Sequence, residues 1–117
     1  MKKRTVLIVD DEPGILRSLA LYLKDEFRVL KAASGLEAWQ VIQRLHIDWL
    51  VTDLKMPGMG GLELLEKVRG SGYKMKVILS SGYVNDVEED KVCLLKIDHC
   101  LQKPYSPITL VEILRSC

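Results

Sequence analysis

The 117-residue sequence is poor in cysteine and aromatic residues, has no excess of charge of either sign, and contains no long apolar run. Its three cysteines, Cys93, Cys100 and Cys117, are odd in number and show no CxxC spacing. They argue against a disulfide framework or a thiolate zinc site and read as reduced thiols in a cytoplasmic protein. No apolar stretch approaches the roughly 18 residues of a membrane span. The start of the chain lacks the apolar core of a signal peptide, so no membrane partner is expected. Seventeen Lys and Arg against sixteen Asp and Glu leave a formal charge of +1, which offers no broad field for nucleic acid or a lipid surface. The one basic run, Lys2 to Arg4, reads as a solvated lead-in to the first strand.

What remains is an ordinary globular composition, 48% apolar and 28% charged, at a length that suits one domain over residues 1–117. No internal boundary and no output domain in this chain are expected. Short apolar runs alternate with amphipathic stretches. Five strands are predicted: Arg4 to Val9, Phe27 to Ala32, Trp49 to Thr52, Lys76 to Ser80 and Asp98 to Leu101. "VLIV", "WLVT" and "KVILS" lack clean alternation, as strands covered on both faces do.

Between the strands, Ile15, Leu16, Leu19, Ala20 and Leu23 recur at helical spacing after Pro13. Ser34 with Glu37 three residues later makes a capping-box pattern. Leu62, Leu65 and Val68 form a stripe that stops at Gly70, a fourth helix falls within Val84 to Leu95, and a fifth runs from Pro107 to the end. Strands alternating with helices of this length predict βαβ units and a parallel sheet, with chemistry beyond the carboxyl ends of the strands.

Those ends carry an unusual set of groups. Val6 to Val9 run straight into Asp10, Asp11 and Glu12; Asp53 follows the third strand, Ser80 and Ser81 end the fourth, and Lys103 follows the fifth. Adjacent carboxylates raise one another's pKa and cost stability unless something neutralises them. An oxygen-rich cluster suits a hard cation such as Mg²⁺, and a lysine supplies further compensation. Asp53 in such a site can act as a nucleophile toward phosphorus, with Lys103 and a small hydroxyl near the transferred group. Asp11 alone could instead cap the helix entered at Pro13.

Four segments, "VLIVDDEPGI", "VTDLKMPGMGGLELL", "VILSSGY" and "CLQKPY", stand in the order and spacing of a response-regulator receiver domain of two-component signalling. The chain resembles that family over essentially its whole length. The resemblance implies a single flavodoxin-like (βα)5 domain of three layers, with a parallel five-stranded sheet in the order 2-1-3-4-5. It implies that Asp53 accepts a phosphoryl group from the phosphohistidine of a histidine kinase or phosphotransfer protein. Asp10, Asp11, Asp53 and the backbone carbonyl of Lys55 would hold Mg²⁺, and Lys103 would pair with the phosphoryl group, followed by Pro104 in a cis peptide bond. The product would be a signalling switch rather than a metabolic enzyme. Its output face, formed by the fourth helix, fifth strand and fifth helix, would act on a partner, an output domain or a second copy, without direct nucleic-acid binding.

Ser81 is 28 positions after Asp53 and 22 before Lys103, the family spacing of the switch hydroxyl, and Gly82 then fills a small-residue position; Ser80 is the neighbouring alternative. Cys100 departs from the pattern, standing where the family commonly has a Tyr or Phe, with His99 and Tyr105 as nearby substitutes. Lys55 and Tyr83 fall at positions that tune access of the hydrolytic water, which implies a phosphorylated state that is not unusually short-lived. His46 and His99 read as surface or satisfied histidines rather than ligands, Trp39 and Trp49 as core, and Gly58, Gly60 and Gly61 as a loop needing unusual backbone angles. Two further readings stay open. One is a phosphatase or phosphotransferase using an aspartyl phosphate, although Lys55 occupies the place of its second acid. The other is a receiver-like module that is never phosphorylated.

Overall fold

A computed structural model of the protein describes residues 3–82 and 87–116. The predicted apolar runs become five parallel strands, β1 (Thr5–Val9), β2 (Arg28–Ala32), β3 (Trp49–Asp53), β4 (Lys76–Ser81) and β5 (His99–Gln102). Their order is β2-β1-β3-β4-β5, as expected. The crossovers carry α1 (Pro13–Leu23), α2 (Gly35–Arg44), α3 (Gly61–Gly70) and α4 (Glu89–Leu94), and α5 (Pro107–Arg115) follows β5.

The unbroken hydrophobicity of β1 follows from its central place. Val6 and Ile8 pack on one side with Leu16, Leu19 and Leu23 of α1 and Leu110 and Leu114 of α5. Leu7 and Val9 face the other side, with Ala38 and Ile42 of α2 and Leu64 and Val68 of α3. Each such side chain contributes roughly 1.5–3 kcal/mol on burial, so a polar residue on either face of β1 would be costly. Trp49 is core as expected. Trp39 is only half-buried, edge-on to Tyr73 at 6.0 Å with Lys67 above its ring. The α3 stripe is shifted toward Leu64 and Leu65, leaving Leu62 partly buried.

Several boundaries differ from expectation for local reasons. Phe27 belongs to the turn closing α1, because its N–H donates to the Leu23 carbonyl at 2.9 Å. β2 therefore starts one residue later, and β1 starts at Thr5 rather than Arg4. β3 and β4 each run one residue further, since Asp53 stays in register with Ser80 and Ser81 with Gln102. Asp98 is outside β5 because its carboxylate accepts from the Val77 N–H at 2.7 Å. The fourth helix falls within Val84 to Leu95 as expected, over Glu89–Leu94; Val84 to Asp86, like Tyr83, lie outside the described residues. Ser34 caps α2 as expected, accepting from the Glu37 N–H at 3.1 Å. Among the described residues, no helix is long and apolar enough to cross a membrane.

Asp48 ties the starts of two central strands together. Its carboxylate accepts from the Thr5 N–H at 2.7 Å and pairs with exposed His46 at 3.0 Å. Burial works against the charge, but the Thr5 hydrogen bond and His46 outweigh it and hold the Asp48 pKa below its ordinary value. A depressed carboxylate pKa contributes stability above the unfolded pKa that is lost as pH falls through the folded one. Asp48→Asn is therefore expected to cost on the order of 1 kcal/mol at neutral pH, allowing for exposure. The deficit should vanish below the carboxylate range in urea unfolding followed against pH; a deficit that persists in acid would show that the charge is not its source.

Candidate functional site

The sheet register brings the carboxyl ends of the strands level. Val9 of β1 sits beside Thr52 of β3, Asp53 beside Ser80 of β4, and Ser81 beside Gln102 of β5. Asp10 extends β1 by one residue, its N–H donating to the Ala32 carbonyl at 3.1 Å. Asp10, Asp53, Ser81 and Lys103 thus meet at one edge, and Asp11 joins them.

Lys103 ties the acids together. Its Nζ donates to Asp10 Oδ2 at 2.7 Å and to Asp53 Oδ2 at 3.1 Å. Burial works against the ammonium charge, but the hydrogen bonds to Asp10 and Asp53 prevail and hold the Lys103 pKa above the usual lysine value. Asp10 is buried, Asp53 half-buried and Asp11 exposed, and each offers an oxygen within 4.8 Å of the others. That grouping can hold a metal ion. The Lys103–Pro104 peptide is cis, as the resemblance implied.

The alternative of Asp11 as the cap of α1 is not what the structure has. The N-cap of α1 is Glu12, with no side-chain cap bond, and it is Asp10 Oδ1 rather than Asp11 that accepts the Glu12 N–H, at 2.9 Å. Asp10 therefore spends one oxygen on the entry to α1 and the other on Lys103. The two serines also divide. Ser80, 2% exposed, donates its hydroxyl to the Thr52 carbonyl at 3.4 Å, inside the sheet. Ser81 ends β4, and its carbonyl accepts the Lys103 N–H at 2.7 Å. Lys55 is exposed in the loop after β3, and Tyr83 lies outside the described residues.

The glycines of that loop work differently from the sequence reading. Only Gly58 of the three has a positive φ, at 77°. Gly61 is required by close approach instead: a Cβ there would lie 2.4 Å from the Asp53 carbonyl oxygen and 3.0 Å from Leu54 Cα. Gly35 at the start of α2 is similar, since a Cβ would meet the Met59 carbonyl at 2.5 Å. The paired glycines in "GMGG" were the available signal, but sequence alone does not separate contact from angle. Gly61→Ala is expected to cost about 1–3 kcal/mol through overpacking. Gly14→Ala in α1, where a Cβ meets nothing within 4 Å, should be neutral or stabilising. Denaturant unfolding of the two variants checks the contrast, and equal stabilities would refute it.

The comparison with known families settles the class. A family model described as the response regulator receiver domain matches residues 6–115. The chain belongs to the response regulator receiver domain family. Response regulator GtcR of Aneurinibacillus migulanus is 33% identical over 109 residues, covering 92% of this chain and 45% of its own length. Sporulation initiation phosphotransferase F of Bacillus subtilis is 31% identical over 94 residues, covering 78% of this chain and 76% of its own. The structure of chemotaxis protein CheY4 from Vibrio cholerae matches with a TM-score of 0.89 at 29% identity, covering 97% of this chain and 98% of that one. The receiver domain thus spans just under half the length of GtcR.

Receiver domains of two-component systems work with histidine kinases and output domains. The acidic pocket of this receiver domain is compatible with Mg²⁺ and with phosphorylation. Near that pocket, Tyr105 is half-buried; burial raises its hydroxyl pKa, Lys103 opposes the shift, and Asp10 and Asp53 add to it. Cys100 is exposed on β5, and His99 lies against the Trp49 ring at 6.4 Å, tilted rather than stacked.

Proposed function

We propose that this receiver domain is a phosphorylation-driven switch in which Asp53 accepts the phosphoryl group. The observation that carries the reading is the Lys103 ammonium held between Asp10 and Asp53. A positioned cation beside a carboxylate is what phosphoryl transfer needs, because charge spreads over the oxygens of the group in flight. An Asp53 oxygen forms a bond to phosphorus as the P–N bond of the donor phosphohistidine breaks, and the imidazole leaves with the electron pair and takes up a proton.

Asp10, Asp11, Asp53 and the Lys55 carbonyl would hold Mg²⁺, which supplies charge neutralisation for the transferred oxygens. The hard oxygen donors suit that ion, and Asp10, buried beside two other carboxylates, gains from a second cation. Lys103 keeps its ammonium on the Asp53 side of the pocket. Ser81 is the hydroxyl that would respond to the new charge, of about −2.

The response would be read on α4, β5 and α5. No residue of α4 is fully buried; Val92 packs partly against the core and Lys91 lies 3.8 Å from Glu66 of α3. Leu94 on α4 and Ile108 on α5 are exposed apolar groups that a target, an output domain or a second copy could cover. Cys100 in place of an aromatic points to coupling through the hydroxyl and the strand rather than through ring rotation. Residues 1–117 would act as one cytoplasmic receiver unit, supplied by a histidine kinase or phosphotransfer protein. It catalyses only its own phosphorylation and dephosphorylation.

The test is intact mass after incubation with phosphoramidate and Mg²⁺. A gain of one phosphoryl group that EDTA prevents is expected. No gain, together with unchanged Trp49 fluorescence on adding a beryllium fluoride mimic, would favour a binding module that is never phosphorylated.

A further inference from the structure

Basic residues scattered along the sequence converge on one free edge of the sheet. Among the described residues β2 is an outer strand, paired only with β1, and its outward backbone groups have no strand partner. A groove of about 1280 Å³ runs along it between α1 and the turn after α2, lined by Lys3, Arg4, Arg17, Lys24, Arg28 and Lys31. Its one acid, Asp48, is already held by Thr5 and His46. Among the described residues, no carboxylate forms an ion pair with Arg17, Lys24, Arg28 or Lys31. A chain of net charge +1 has therefore gathered much of its positive charge on one edge.

The groove is not merely charged. Val29 and Leu30 of β2 are half-buried at its floor, and Leu21 and Leu45 flank it with 66% and 44% of their surface exposed. Along β2 the order is cation, apolar, apolar, cation, in Arg28, Val29, Leu30 and Lys31. Successive residues point to opposite faces, so each face of the edge presents one cation and one aliphatic side chain.

We propose that this edge binds an extended acidic peptide segment of a partner protein, added as a strand beside β2. Backbone hydrogen bonds would supply affinity, and acidic and aliphatic side chains on the segment would supply specificity. The pattern acid, apolar, apolar, acid reads the same in both directions, so it complements β2 in parallel or antiparallel addition. Charged residues on a sheet edge also discourage self-association. That need is met by Arg28 and Lys31 and does not account for Arg17 on α1, for Lys24 at its C-cap, or for Lys3 and Arg4. Nucleic acid is the poorer fit: among the described residues the one Phe, Tyr or Trp lining the groove, Phe27, is 4% exposed and offers no stacking face, and the His46 ring is paired with Asp48. The groove begins at the starts of β1 and β2, and β2 carries none of the acidic-site residues, so the proposal does not depend on phosphorylation of Asp53.

Fluorescence anisotropy with a labelled peptide of Glu-Val-Val-Glu repeats tests it. Saturable binding is expected, weakened by salt and reduced at least about tenfold both by Arg28→Glu with Lys31→Glu and by Arg17→Glu with Lys24→Glu. All four residues are exposed, and circular dichroism verifies that the variants fold. Backbone amide shifts should centre on residues 28–32, and a Glu-Pro-Val-Glu version, unable to complete the ladder, should bind weakly. The proposal is overturned by equal binding of the proline peptide or of a Lys-Val-Val-Lys peptide. Shifts centred elsewhere, or tighter binding to oligo-dT or phosphatidylserine vesicles at the same salt, would overturn it as well, as would no binding.

Discussion

Asp53→Asn is expected to abolish phosphoryl uptake while leaving the fold intact. The amide keeps the shape of the side chain but has no oxygen able to displace imidazole from phosphorus. Lys103 retains its 2.7 Å contact with Asp10, so the pocket stays closed on that side. The substitution also removes one of three carboxylates whose oxygens lie within 4.8 Å of one another, relieving repulsion. Stability without metal should therefore stay within about 1 kcal/mol of the parent, or rise slightly. Intact mass under phosphodonor and Mg²⁺ reads the first effect, and denaturant unfolding the second. A variant that still gained a full phosphoryl group would move the acceptor to another residue.

Lys103→Met is expected to separate metal binding from transfer. The side-chain relative exposures are 21% for Lys103, 4% for Asp10 and 13% for Asp53, so this pairing is shielded enough to matter. Removing the cation leaves the acids uncompensated and should cost roughly 2 kcal/mol without metal, less than for a fully buried pair. Mg²⁺ should restore much of that loss and bind at least as tightly as before, because a competing positive charge is gone. Transfer should nonetheless slow by about 10²–10³, the usual loss when one positioned donor to a developing oxyanion is removed. Rapid-quench phosphorylation and an Mg²⁺ titration followed through Trp49 fluorescence give the two readouts. Parallel loss of both would mean that Lys103 acts mainly by holding the pocket together.

The topology was legible because the central strands are covered on both faces, and such strands announce themselves as unbroken aliphatic runs. Asp10, Asp53, Ser81 and Lys103 were legible as neighbours because parallel strands put every carboxyl end on one edge. Other features depend on contacts that no local pattern records. The one-residue shift of β5 comes from the Asp98 carboxylate competing for the Val77 N–H. Similarly, the Glu12 N–H at the entry to α1 is taken by Asp10, which directly follows β1, rather than by Asp11. The basic edge escaped the sequence because its members are spread from Lys3 to Lys31 among acids that fold elsewhere. A charge count averages such asymmetry away.

The central claim is that phosphorus becomes bonded to an oxygen of Asp53. Borohydride reduction of the phosphorylated protein, followed by peptide mass mapping, tests it most directly, because an acyl phosphate is reduced to an alcohol and a phosphoester is not. Homoserine at position 53 is expected in the Mg²⁺-treated sample and none in the EDTA control. An unreduced phosphoryl group mapped to Ser81 or any other side chain, with Asp53 intact, would contradict it.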